Sequence, residues 1–160
     1  TYSQTNYYLT SIELGALRYS LRIREKEGYY EMTLKTPAAN GRMEHNLEIT
    51  KEDLIMIQNG QMPDNEITCL LRDKGFDLSL IKQSYSLTTI RRDVPFDSGM
   101  LSLDENHYNG ITDYELEFEV NDEEAGLKQF KELCETYHLQ YKGNCASKIV
   151  RVLSTLKAGL

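Results

Sequence analysis

From Thr112 to Val120 the chain alternates without a break. Tyr114, Leu116, Phe118 and Val120 are apolar or aromatic, and Asp113, Glu115, Glu117 and Glu119 stand between them. A side-chain period of two belongs to extended backbone, so the segment is predicted as a β-strand with its acids on one face. Like charges at that spacing repel. Each neighbour costs a few tenths to about 1 kcal/mol unless cations intervene. A chain carrying such a strand must either leave that face in water or bring cations to it.

A second alternating region carries the opposite charge. Ser20-Leu21-Arg22-Ile23-Arg24 and Tyr29-Tyr30-Glu31-Met32-Thr33-Leu34-Lys35 flank Gly28, which predicts a β-hairpin between Tyr19 and Thr36. Arg22 and Arg24 then share a face with Ser20. Lys35 shares a face with Thr33 and Glu31, and Met32 and Leu34 take the other. An ordinary hairpin leaves such charges solvated, with weak surface ion pairs. If the sheet curls with its charged faces inward, the cations and the carboxylates instead line one polar interior. A polyphosphate would sit on the Arg/Lys side, with Mg²⁺ or Mn²⁺ bridging it to the acids. The apolar core would then lie outside, under the helices.

The rest of the chain reads as follows. Pro37 to Gly41 is a loop. Arg42 to Ile49 is extended, with Arg42, Glu44, Asn46 and Glu48 on one side. Thr50 caps a helix over Lys51 to Gln58, with Asp53 reaching back, and Asn59-Gly60 stops it. A second helix runs from Asn65 to Asp73, capped by Asp64. Gln83 to Val94 and Met100 to Asp104 are strands, and Asn109-Gly110 is a hairpin turn. Asn121 caps a helix with Glu124 completing a capping box, and Leu127, Phe130, Leu133, Cys134 and Tyr137 form its apolar stripe, packed outside the sheet. A last helix covers Ala146 to Leu156. There is no internal repeat. Strands, two short helices, strands, then helices make an α+β fold on a mainly antiparallel sheet.

Composition excludes several classes. The 160 residues suit one domain, and 25 acids against 18 bases argue against sequence-independent nucleic-acid binding. Apolar runs fall far short of the roughly 20 residues of a membrane span, and no leader opens the chain, so a cytoplasmic location is expected. Cys69, Cys134 and Cys145 lack CxxC spacing and are expected to be buried or partly buried. His45, His107 and His138 are scattered, with His107 expected at a turn. A metal here would be a hard cation on carboxylates.

These segments together resemble the CYTH domain, whose members are called triphosphate tunnel metalloenzymes. The hallmark LRxR…TLK stands as Leu21-Arg22-Ile23-Arg24 and Thr33-Leu34-Lys35. Thr89-x-Arg91, Leu103-Asp104 and the E-x-E of Glu117-Phe118-Glu119 follow in order. Ser147-Lys148-Ile149-Val150-Arg151 is similar to the S-K-x-x-R ending of many bacterial members. The resemblance implies a closed or nearly closed antiparallel barrel of about eight strands, polar inside, with helices packed outside. It implies divalent-metal-dependent hydrolysis of inorganic tripolyphosphate or a small organic triphosphate such as thiamine triphosphate. It makes Lys35 the catalytic cation that contacts the reacting phosphate and orients water. Arg22, Arg24 and Arg91 would hold phosphate oxygens, and Arg42, Lys148 and Arg151 would reach the tunnel or its end. Glu44, Asp104, Glu117 and Glu119 would bind Mg²⁺ or Mn²⁺, with Glu115 on the same face one step from the matched pair. The resemblance allows a homodimer.

The family normally opens with a strand bearing E-x-E-x-K, and no such motif precedes Arg22. Tyr8-Leu9-Thr10 stands where the family often has Tyr-Phe-Asp-Thr. Residues 1–160 are therefore expected to form a single domain of this kind without its first strand. Two alternatives stay open: an adenylyl cyclase of the class IV type, and a module that binds polyphosphate or nucleotide without turnover.

Overall fold

The computed structural model describes residues 1–141, 143 and 145–158. The chain forms two compact units, Gln4–Thr88 and the residues from Thr89 onward together with Thr1–Ser3. The elements in the first stretch of chain are β1 (Tyr2–Thr10), α1 (Ile12–Ala16), β2 (Ser20–Lys26), β3 (Tyr29–Ala38), β4 (Gly41–Ile49), α2 (Lys51–Gln58) and α3 (Glu66–Asp73). A 3-10 turn at Leu78–Leu80 leads into the long strand β5 (Lys82–Phe96), which passes from one unit to the other. Then follow β6 (Gly99–Tyr108), β7 (Ile111–Val120), α4 (Glu123–Thr136) and α5 (Lys148–Ala158). The strands hydrogen-bond in the order β4-β3-β2-β1-β5-β6-β7, an antiparallel sheet in an α+β chain, as the sequence predicts.

Two tight hairpins fix the registers that matter. Glu27 and Gly28 both take positive φ, 52° and 79°, between the paired Lys26 and Tyr29. Asn109 and Gly110 do the same at 49° and 75° between Tyr108 and Ile111. Two consecutive left-handed residues make the turn whose twist matches that of the flanking strands. From these turns the β2–β3 ladder sets Arg22 opposite Thr33 and Ser20 opposite Lys35. The β6–β7 ladder sets Asp104 opposite Glu115 and Ser102 opposite Glu117.

In the unit Gln4–Thr88 the alternate face is the core. Leu9, Leu21, Ile23, Met32 and Leu34 are buried with Leu54 and Ile57 of α2, Ile67 and Leu71 of α3, and Leu14 of α1. Each such side chain contributes about 1.5–3 kcal/mol through burial. The apolar core therefore lies under the helices, on the face away from Arg22, Arg24 and Lys35.

Several boundaries differ from the sequence expectation. The α3 cap is Asn65, whose side chain accepts from Thr68 N–H, while Asp64 pairs with Arg72 at 2.9 Å. The α4 cap is Asp122, accepting from Ala125 N–H. In both places two adjacent residues are good cap formers, and the chain path selects the second. β3 and β4 run nearly into each other, so the Pro37–Gly41 loop shrinks to a two-residue turn. β6 continues four residues past Asp104, and α5 begins at Lys148. Of the α4 stripe, Cys134 is buried and Phe130 stacks on Phe118, but Leu127 and Tyr137 are exposed. Cys69 and Cys145 are exposed as well. His107 lies within β6, hydrogen-bonded to Glu105 and Thr112. Among the described residues no helix is long and apolar enough to cross a membrane.

Candidate functional site

The unit Gln4–Thr88 presents one polar sheet face. The registers align Asn6 with Arg24 and Tyr8 with Arg22 across β1–β2, and Lys35 with Glu44 and Thr33 with Asn46 across β3–β4. Buried Thr33 donates its hydroxyl to Asn46 Oδ1 at 2.7 Å, and Arg24 Nε donates to Asn6 Oδ1 at 3.0 Å. These partners steady the face, on which the ladders also set Glu31 opposite Arg24. Burial pushes the Lys35 ammonium below the usual lysine range, and repulsion from Arg22, Arg24 and Arg42 adds to this against the attraction of Glu44. Arg22 Nε is buried without a hydrogen-bond partner among the described residues. A buried donor left unpaired costs about 1–3 kcal/mol, which an anion on this face would relieve. Arg42, at the exposed end of the face, donates to the Arg18 carbonyl at 3.0 Å.

The unit from Thr89 onward carries the acids. Ser102, Asp104 and Asn106 of β6 are buried, and across the ladder from them lie Glu117, Glu115 and Asp113. Arg91 on β5 grips Asp104 with two 2.6 Å hydrogen bonds and reaches Glu117 Oε2 at 2.9 Å. Flanking bonds lock the neighbouring polar groups. Thr89 donates to Asn106 Oδ1 at 2.7 Å, Asn106 donates to Asp113 Oδ1 at 2.9 Å, and Ser102 donates to Asp93 at 2.6 Å.

Helix α5 brings two cations to the same acids, one turn apart. Lys148 Nζ lies 2.6 Å from Asp104, 3.2 Å from Glu117 and 3.7 Å from Glu115. Arg151 lies 2.7 Å from Glu115 and 3.8 Å from Asp113. Burial alone would raise the Asp104 carboxyl, but hydrogen bonds from Arg91 and Lys148, with their charges, hold it below the usual range. Burial would likewise raise Glu115, and the Cys145 thiol, Arg151 and Lys148 outweigh it. Burial would lower Lys148, and the three carboxylates push it up instead.

Asp104, Glu115 and Glu117 each offer an oxygen, and these oxygens lie within 4.8 Å of one another. An all-carboxylate donor set suits a hard, oxygen-seeking dication and has no soft ligand to favour zinc or copper. The residues present therefore fit Mg²⁺ or Mn²⁺.

The structure thus groups the sequence candidates in two sets. Arg22, Arg24 and Lys35 share one face, with Glu44 opposite Lys35 at its exposed margin. Asp104, Glu115 and Glu117 form the carboxylate group, whereas Glu119 is exposed opposite Met100. Arg91, Lys148 and Arg151 are engaged by these carboxylates. Sequence reasoning quoted Thr89 only as part of a motif, gave it no role, and missed Ser102 and Asn106. The signal was the alternation Ser102, Asp104, Asn106, which continues the strand beyond Asp104.

Comparison with known proteins adds a lineage to this geometry. The CYTH domain family model matches residues 1–152. The chain is 29% identical over 150 residues to "Putative triphosphatase YjbK" of Bacillus subtilis (strain 168), covering 92% of this chain and 77% of that protein. Among solved structures, a "putative adenylate cyclase" from Bacillus halodurans superposes with a TM-score of 0.77 at 33% identity, covering 94% of this chain and 81% of the other. A "putative adenylyl cyclase" from Hippeastrum, described as having a dominant triphosphatase activity, gives a TM-score of 0.75 at 18% identity, covering 96% and 82%. At that identity the second likeness speaks to fold.

Proposed function

Since the chain belongs to the CYTH domain family, we propose that it is a divalent-metal-dependent triphosphatase acting on inorganic tripolyphosphate or a small organic triphosphate. The observation that carries this reading is the cationic face. Arg22 Nε is buried without a partner among the described residues, and Lys35 is held below its usual pKa first by burial and then by its cationic neighbours. A face of this kind is completed by a polyanion. Relatives named for triphosphatase and adenylate cyclase activity support the same substrate class.

In this reading Arg22 and Arg24 bind phosphate oxygens, their planar forks matching two oxygens at once. Lys35 contacts the phosphoryl group under attack, stabilises the charge that develops on it, and orients the attacking water. Asp104, Glu115 and Glu117 hold Mg²⁺ or Mn²⁺, with Arg91 fixing Asp104 and Glu117 from behind. The bound ion supplies charge neutralisation on the polyphosphate. Buried Thr33 and Asn106 position their neighbours through the hydrogen bonds given above. The reaction is phosphoric anhydride hydrolysis.

The test is phosphate release from tripolyphosphate with Mg²⁺ or Mn²⁺, in the wild type and in Lys35→Ala and Glu117→Ala. Loss of more than about 100-fold in both variants is expected, in line with removal of a transition-state charge contact. Equal activity in all three proteins would sink the assignment. Cyclic AMP from ATP, in place of free phosphate, would move the reading to a cyclase. Tight tripolyphosphate binding without turnover would make the chain a binding module.

A further inference from the structure

The ammonium of Lys148 sits where the carboxylates converge. It reaches all three of Asp104, Glu117 and Glu115, at 2.6, 3.2 and 3.7 Å. It donates hydrogen bonds to Asp104 and Glu117, and Glu115 at 3.7 Å adds a charge contact. Arg91 approaches the same acids, shares Asp104 Oδ2 with Lys148 and takes a different oxygen of Glu117. It takes Asp104 Oδ1 and Oδ2 and Glu117 Oε2, whereas Lys148 takes Asp104 Oδ2 and Glu117 Oε1. A dication drawn to the triad and the Lys148 ammonium therefore compete for the same oxygens.

We infer that Lys148 is an internal stand-in for the metal, closing the carboxylate site until a divalent ion displaces its ammonium. This rests on the reading of Asp104, Glu115 and Glu117 as a divalent-metal site. The displacement needs no unfolding of α5. Val152 is fully buried, and Asn109 Nδ2 donates to the Val152 carbonyl at 3.3 Å and to Thr155 Oγ1 at 3.1 Å. The helix stays anchored by these contacts while the four-carbon stem of Lys148 swings away.

The exchange also adds one positive charge to the site. With Lys148 seated, the carboxylates of Asp104, Glu115 and Glu117, with Asp113 beside Arg151, face three cations, Arg91, Lys148 and Arg151. Replacing an ammonium by a dication raises the net charge of the group by one and frees the Lys148 ammonium. Polyanion binding then becomes conditional on the metal, through differential affinity for two arrangements of one side chain.

Two measurements test the inference. The first is Mn²⁺ affinity of the protein without substrate, by calorimetry or electron paramagnetic resonance, for wild type, Lys148→Met and Lys131→Met. Lys131 is exposed on α4 and controls for the lost charge. Closure by Lys148 lowers apparent affinity by the fraction of protein with a free triad, so Lys148→Met is expected to bind at least about tenfold more tightly. Lys131→Met should stay within about twofold of wild type. The second is acylation of lysines in the wild type, read by mass spectrometry. Saturating Mn²⁺ should raise Lys148 labelling severalfold and leave Lys131 unchanged. Wild-type Mn²⁺ binding with no gain in Lys148→Met, or with Lys148 labelling unmoved, overturns this inference alone. Absence of Mn²⁺ binding in every protein overturns the metal-site reading and this inference with it.

Discussion

Arg91 and Asp104 are joined by two parallel hydrogen bonds of 2.6 Å, from Nε to Oδ1 and from Nη2 to Oδ2. The Asp104 side chain is fully buried and that of Arg91 is 20% exposed. Removing one partner of such a pair leaves a charge out of water with too few contacts. Lys148 remains as a second partner, so Arg91→Ala is expected to destabilise the fold by about 3 kcal/mol, at the low end for a broken buried pair. Arg91→Lys keeps the charge and loses the fork, and should cost about 1 kcal/mol. Urea unfolding of both variants checks the order. An Arg91→Ala protein as stable as wild type would mean that the pair adds nothing.

In the triphosphatase reading, Lys35 ties proton uptake to anion binding. Its ammonium is disfavoured in the fold, chiefly by burial and then by Arg22, so its folded pKa lies below its unfolded value. Between the two values the unfolded chain binds more protons, and stability therefore rises with pH through that window, which ends at lysine's ordinary value of about 10.4. Lys35→Met should lose this rise. A bound polyanion favours the charged form, so tripolyphosphate binding in the same window should take up protons. Calorimetry in two buffers of different ionisation enthalpy reads the uptake directly. Equal heats in both buffers would count against contact between Lys35 and phosphate.

Gly126 marks a close approach of α4 to the end of β7. A methyl group on its Cα would overlap the Cβ and both Cγ atoms of Val120. Overpacking of this kind typically costs about 1–3 kcal/mol. Gly126→Ala is expected to fall in that range. Val120→Ala removes both Cγ atoms but keeps the Cβ, so it should recover part of the loss in the double variant, giving a favourable coupling energy in a double-mutant cycle. Simple additivity of the two changes would show that α4 moves away instead.

The parts of this molecule visible in its sequence are those with strict local period. The β2–β3 hairpin and β7 announce their faces because charge and apolar residues alternate without error, and the registers keep Arg22, Arg24 and Lys35 together. The five-residue α1 is too short to show a helical period. Ser102 and Asn106 look like surface residues by composition, yet they are buried because Asp93, Thr89 and Asp113 satisfy them. The counterions of the carboxylates lie far along the chain, Arg91 being 13 residues from Asp104 and Lys148 being 44. Only the fold brings them together. The family resemblance thus named Arg91 and Lys148 as cations of interest, while their partners depend on tertiary structure.

Asn106 offers the sharpest test of that buried network. Its amide accepts from Thr89 at 2.7 Å and donates to Asp113 at 2.9 Å, and the residue has no exposed surface. Asp113 in turn accepts the Tyr108 hydroxyl at 2.5 Å and faces Arg151. Asn106→Ala strands the Thr89 hydroxyl and one Asp113 oxygen, an expected cost of about 2 kcal/mol. Asn106→Asp keeps the shape and the acceptor but replaces the donor with a second carboxylate against Asp113. Burial and the like charge both raise the folded pKa of the new acid above its unfolded value of about 3.9. Its penalty is then largest at neutral pH and shrinks as pH falls toward that folded value, because the protonated acid can donate to Asp113 again. Urea unfolding at pH 7 and pH 5 should show Asn106→Asp gaining stability relative to wild type at the lower pH, while the Asn106→Ala deficit changes little. A deficit in Asn106→Asp that does not move with pH would mean that the hydrogen bond to Asp113 is not the one that matters.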